Sequence, residues 1–208
     1  MKVSMDNAED IKKQGQLLNS LLAELASELA TVVKGRQRDD LSQAERRMYI
    51  RSAFATIEAW IYVMKQIALR AHPDPNCATI NQAERAFAQE QEYKLADSGD
   101  VEIRRTKISL QANVRFAFKL LAKAGSVEQQ LNVSSSEWQA FRRAITVRDR
   151  ITHPKSVSDL VITDEDYNDV SVGFGMVLIA HARLMHEIML KVNEGKANSE
   201  IARLMDAV

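Results

Sequence analysis

The residue types best suited to chemistry converge in RDRITHPK, Arg148 to Lys155. Asp149 and His153 are four apart, so on a helix they share a face. A carboxylate placed there can hydrogen-bond the imidazole, fix its tautomer and favour its protonated form. Arg148 is five residues from His153, about 140° around the cylinder, and flanks the same groove edge. Pro154 disfavours helical backbone at His153, which leaves the ring free to swing towards Arg148. The negative end of the helix dipole also favours a charged imidazole. An acid–base group, an orienting carboxylate and a fixed cation suit phosphodiester cleavage without a metal. A ribose 2′-hydroxyl attacks the adjacent phosphorus, His153 moves the proton, and Arg148 offsets charge on the non-bridging oxygens. The competing reading is a helix end capped by a histidine.

The surroundings favour phosphate. From Glu137 to Lys155 stand Arg142, Arg143, Arg148, Arg150 and Lys155 against Glu137 and Asp149. Five cations minus two carboxylates leave a local +3 on a chain whose 28 Lys+Arg and 28 Asp+Glu cancel. Arg143, Arg150 and Lys155 are the candidates to hold substrate. Glu58, amid apolar positions, is expected to be partly buried and to need a partner. It orients Arg148 or His153, or it pairs with an arginine such as Arg51 or Arg115. His181 falls in an apolar stripe and reads as a satisfied core histidine, with His72 and His186 as surface or cap residues. There is no HExxH pattern, Gly-rich phosphate loop or nucleophile elbow. No metal and no cofactor are expected.

The elements that position these residues are helical. Only 3 prolines and 7 glycines interrupt 208 residues, which favours long helices. Leu18, Leu21, Leu25, Leu29 and Val32 form an apolar stripe ending near Gly35. Ser42 with Glu45 is a capping box for a helix running through His72 to Pro73, with Ile50, Phe54, Ile57, Ile61, Met64 and Ala68 on one face. A short helix follows from about Asn81 to Gln91. The DSGD at 97–100 between two extended runs predicts a hairpin. Helices are expected over 110–124, stopped by Gly125, and from Ser134 to His153. The latter reads as a capping box of Ser134 and Glu137 with a Val133–Trp138 staple. The last begins at Thr163 and runs to about Asn193, with Leu178 among its lining residues and Gly173 and Gly175 placed for close helix approach. The expected class is all-α, an antiparallel helical bundle with a small β-hairpin. Residues 1–40 form an amphipathic appendage, 41–195 the main domain and 196–208 a tail.

The balanced charge excludes a uniformly basic nucleic-acid-binding surface. The single Cys77 excludes an internal disulfide framework and a cysteine zinc site. No apolar run reads as long enough to span a membrane, so a cytoplasmic protein without membrane contact is expected.

A helical chain with Arg-polar-x-x-x-His near a helix end, followed by Pro, resembles the HEPN superfamily. The motif falls on Arg148, Asp149 and His153, and FATIEAW and NVRFAFK are similar to bacterial HEPN-like sequences. The resemblance covers roughly 41–193. It implies metal-independent endoribonuclease activity in toxin–antitoxin or phage-defence systems, an RNA substrate and an antitoxin partner. It also implies a homodimer whose two motifs face across a shared cleft. Two protomers would supply the two histidines that acid and base catalysis need. The rivals are a non-catalytic helical interaction module and a nucleotide sensor.

Overall fold

The fold is that of a computed structural model, which describes residues 41–74 and 76–193 and ten helical residues between Gln16 and Thr31. It is mainly helical with one small antiparallel hairpin, as expected. The elements are α1 (Gln43–Ala71), α2 (Gln82–Ala88), β1 (Gln91–Leu95), β2 (Val101–Arg105), α3 (Leu110–Ala124), α4 (Ser136–Thr152), a 3-10 turn (Val157–Leu160) and α5 (Asp164–Asn193). Of the N-terminal stripe, Leu18, Leu29, Val32 and the stop at Gly35 lie outside the described residues, as does the tail 196–208. Leu21 is helical and exposed, and Leu25 is helical and half-buried.

The chain divides into two compact units. Among the described residues, one holds 61–130 and 183–193. The other holds 131–182 with the part of the chain up to Trp60, and it carries RDRITHPK.

In that second unit, α1 opens on the expected capping box. The Ser42 N–H donates to Glu45 Oε2 at 2.9 Å and the Glu45 N–H donates to Ser42 Oγ at 3.3 Å. Ile50, Ala53, Phe54 and Ile57 are buried. Phe54 stacks on Phe141 at 6.2 Å, Trp138 lies 5.3 Å from Phe141, and Tyr49 lies 5.0 Å from Tyr167. A Cβ on Gly173 would stand 2.7 Å from Phe141 Cα, so α5 reaches α4 at this point only because the residue is glycine. Gly175 has nothing within 4 Å of that position, and no contact explains it. Val170, Phe174 and Val177 are buried, whereas Leu178 is exposed. Leu178 follows Val177 by one residue, a turn of about 100° that carries it off the buried face.

The α4 start corrects the sequence reading. Ser135, not Ser134, is the N-cap, and its Oγ accepts from the Trp138 N–H at 3.2 Å. Ser134 is taken by Asn132, whose Oδ1 accepts from its N–H at 3.1 Å and its hydroxyl at 2.8 Å. The shift by one residue removes both the Ser134–Glu137 box and the Val133–Trp138 staple. Ser135→Ala is expected to lower unfolding free energy by about 1 kcal/mol, and Ser134→Ala by less than half of that, in chemical denaturation.

Residues Asp164–Lys191 are long and apolar enough, by length and composition alone, to cross a membrane. This corrects the expectation that no such run exists. Its glycines and histidines disguise an apolar stretch that carries few charges.

In the first unit, the hairpin pairs Tyr93 with Ile103 and Leu95 with Val101, and Glu92 with Arg104 and Lys94 with Glu102. Gly99 turns it at φ +88, as DSGD led us to expect. α2 is capped by a reciprocal Asn81–Glu84 box. α3 stops at Gly125, where a Cβ would meet Ile188 Cγ1 at 2.7 Å. The sequence reading did not single out Lys65, which is wholly buried. Its ammonium donates to Glu90 Oε1 at 3.2 Å and Asn113 Oδ1 at 3.3 Å. Glu90 sits at φ 58, a strained conformation for a residue with a side chain.

Candidate functional site

The C-terminal end of α4 carries the motif. Thr152 is its last residue, and His153 leaves the helix at φ −125, ψ 58. The His153 N–H still donates to the Asp149 carbonyl at 3.0 Å. Pro154 thus ends the helix where its ring would have clashed. Beyond it the backbone is tied down, since the N–H groups of Lys155 and Ser156 donate to Asp159 Oδ2 at 2.8 and 2.9 Å. These bonds, that of Lys155 foremost, hold the Asp159 carboxyl below its ordinary range.

Arg148 is the organised member. Its Nη2 donates to Glu58 Oε1 at 2.5 Å and its Nη1 to Asp149 Oδ1 at 2.9 Å. Its side chain is 29% exposed, against 46% for Glu58 and 56% for Asp149. Glu58 therefore takes one of the two roles open to it, a carboxylate partner of Arg148. It is exposed rather than partly buried, because it sits on the outer flank of the face that buries Phe54 and Ile57. Arg51 instead donates to the Ile151 carbonyl at 3.3 Å.

The expected Asp149–His153 side-chain bond is absent. Asp149 spends its carboxylate on Arg148, one residue away, where a guanidinium makes the stronger charge-assisted bond. The His153 ring is exposed and has no hydrogen bond or ion pair among the described residues.

Two of the three expected substrate-binding cations are committed elsewhere. Arg143 grips Asp169 with two bonds of 2.7 Å, and this pairing raises the Arg143 pKa further. Arg150 donates to Asp166 Oδ2 at 2.7 Å and to the Val161 carbonyl at 3.0 Å. Burial works to raise the Asp166 carboxyl, yet Arg150 and the Thr163 N–H together hold it below its usual value. Both arginines fasten α4 to the start of α5, where the acids of DEDYND lie. Those acids suit the helix dipole, and their second use as arginine partners could have been suspected from their number. The Lys155 ammonium is exposed and has no bond among the described residues.

His181 stacks on Trp60 at 5.3 Å and burial lowers its pKa, but it is half-buried and has no hydrogen bond among the described residues, so the expected satisfied core histidine is not what the structure shows. His72 caps α3 through Nε2 and the Ala124 carbonyl at 3.2 Å, and its Nδ1 lies 3.5 Å from Cys77 Sγ. His186 is exposed.

The arrangement can present one oriented guanidinium and one unpartnered imidazole on a single helix end. No family profile, curated protein or solved structure matches this chain.

Proposed function

We propose that the chain is a metal-independent endoribonuclease of HEPN kind, a bacterial toxin or defence effector working in the cytoplasm. It cleaves RNA to 2′,3′-cyclic phosphate and 5′-hydroxyl ends. The observation that carries this reading is Arg148, part-exposed and aimed by Glu58 and Asp149 at the end of the helix that His153 closes. Arg148 stabilises the phosphorane charge. The 2′-oxygen forms a bond to phosphorus as its proton passes to a His153 imidazole, and the P–O5′ bond breaks as another imidazole protonates the leaving oxygen. A homodimer with the two motifs across one cleft supplies both histidines. Asp149 acts with Glu58 in positioning Arg148 rather than in orienting His153. Lys155 is the remaining substrate-binding cation of the three, with Arg143 and Arg150 serving to fix the helix. An antitoxin partner would cover the same end of α4.

Glu58, Arg148 and Asp149 together carry −1, and an imidazolium at His153 brings the four to neutrality. Phosphate binding therefore calls on His153, on Lys155 and on cations of the second protomer. A second reading, a non-catalytic interaction or nucleotide-sensing module, is favoured by the commitment of Arg143 and Arg150 to Asp169 and Asp166. The purified chain in EDTA should cleave RNA and leave 5′-hydroxyl ends, and His153→Ala should lose about a hundredfold. An inert wild type, or a His153→Ala variant as active as wild type, overturns the nuclease reading.

A further inference from the structure

Among the described residues, nothing covers one face of the hairpin. Side chains alternate along each strand, so Tyr93, Leu95, Val101 and Ile103 stand on one side as two directly opposed pairs. Their exposures are 61%, 68%, 67% and 60%. The other side carries Glu92 opposite Arg104 and Lys94 opposite Glu102, two pairs of opposite charge. The charged side is complete in water. The apolar side is a contiguous patch of the kind that marks an interaction surface. A lone two-stranded hairpin is marginally stable unless its apolar face is packed.

The two ends differ in charge. The tip carries Asp97 and Asp100, and Asp97 is exposed without a bond among the described residues. The base carries Arg105 and a cleft of about 430 Å³ lined by Gln89, Glu90, Gln91, Ile103, Arg104 and Arg105. Glu90 there is already engaged by Lys65 and Arg105, which leaves the cleft net positive.

We infer that the apolar hairpin face docks on the same face of a second copy, the two hairpins stacked in opposite directions about a two-fold axis. The axis passes midway between the Tyr93–Ile103 and Leu95–Val101 pairs. Residue levels reflected through that point carry 105 onto 99 and 91 onto 97. Each acidic tip is thereby brought over the basic cleft of the other copy. A stack in the same direction would oppose tip to tip and base to base. Face stacking also suits the edges, since the strands are short and charged enough to discourage edge-to-edge growth. The four apolar side chains of each copy leave water together.

The inference does not rest on the nuclease reading. Sedimentation reads the hairpin contact whether or not RNA is cleaved, so a failure of this inference is distinguishable from a failure of the nuclease reading, which His153→Ala tests in the RNase assay. The test is sedimentation of the full chain across micromolar concentrations, with thermal melts as a folding control. Wild type should be in monomer–dimer equilibrium. Ile103→Glu should weaken it by about a hundredfold, with an unchanged melt at concentrations where the wild type is monomeric, because Ile103 is exposed in the single chain. Lys94→Gln, on the charged side, should leave it unchanged. Asp97→Arg and Arg105→Glu should each weaken it by about tenfold, and the two combined should recover to within about threefold. A wild type that stays monomeric, a dimer indifferent to Ile103→Glu, or a double variant no better than the singles overturns the inference.

Discussion

Arg148→Ala is expected to lower RNA cleavage in EDTA by about a hundredfold or more, with Arg148→Lys recovering little of it. The argument rests on the shape of the guanidinium. Its two Nη atoms already meet two carboxylates in different directions, at 2.5 and 2.9 Å. A phosphate approaching the cluster can displace the more exposed Asp149 and keep Glu58 as the anchor. Lysine is a single point charge and cannot hold both directions at once. Glu58→Gln keeps a hydrogen-bond acceptor and loses the charge, so a smaller loss is expected, about tenfold. Initial rates on a fluorescent oligoribonucleotide check all three. Equal rates for Arg148→Ala and wild type would remove Arg148 from the mechanism, and unchanged thermal melts would show that folding is not the cause.

Glu90→Ala is expected to lower stability by about 3 kcal/mol, visible as a fall in Tm of about 9 °C for a chain of this size. Lys65 is wholly buried, and removal of Glu90 leaves its ammonium with Asn113 alone among the described residues. Glu90 itself is one-third exposed and screened on that side, which sets the figure at the lower end for broken buried pairs. Glu90→Gly should cost about 1 kcal/mol less than Glu90→Ala, because glycine occupies φ 58 without strain. Lys65→Met, which removes the charge and fills the space, should be nearly neutral. The Arg105 and Lys65 hydrogen bonds hold the Glu90 carboxyl below its ordinary value. The folded pKa is therefore lower than the unfolded one, and the pair contributes fully at neutral pH. Its contribution fades as pH falls through that lowered value, and the Glu90→Ala variant should lack this acid-limb loss. A melt of Glu90→Ala within a degree or two of wild type would show that Lys65 finds another partner.

Much of the fold was legible because its signals are local. Ser42 and Glu45 three apart, Gly99 at a turn and Gly125 after α3 each act on neighbouring backbone, and each does so here. Three consecutive serines at 134–136 defeated the same logic, since any of them could cap and only the position of Asn132 selects Ser135. The place of the candidate residues was legible and their wiring was not. Arg148, Asp149 and His153 do stand together at the end of α4. Which carboxylate serves which cation depends on Glu58, 90 residues away, and on Asp166 and Asp169 in the next helix. Counting charges along α4 alone could not reveal that Arg143 and Arg150 were already satisfied. Lys65 escaped notice for the opposite reason, since a lysine on a helix is ordinarily exposed.

The Arg148–Glu58 bond also dates the site within the life of the chain. Its partners are 90 residues apart, so closing that loop costs about 4 kcal/mol of chain entropy before any contact repays it. During synthesis Glu58 leaves the ribosome long before Arg148 exists. Until α4 is complete the guanidinium has no anchor, and the unit that contains both ends cannot assemble. On the nuclease reading proposed above, cleavage therefore begins only after α4 has been made and has packed on α1.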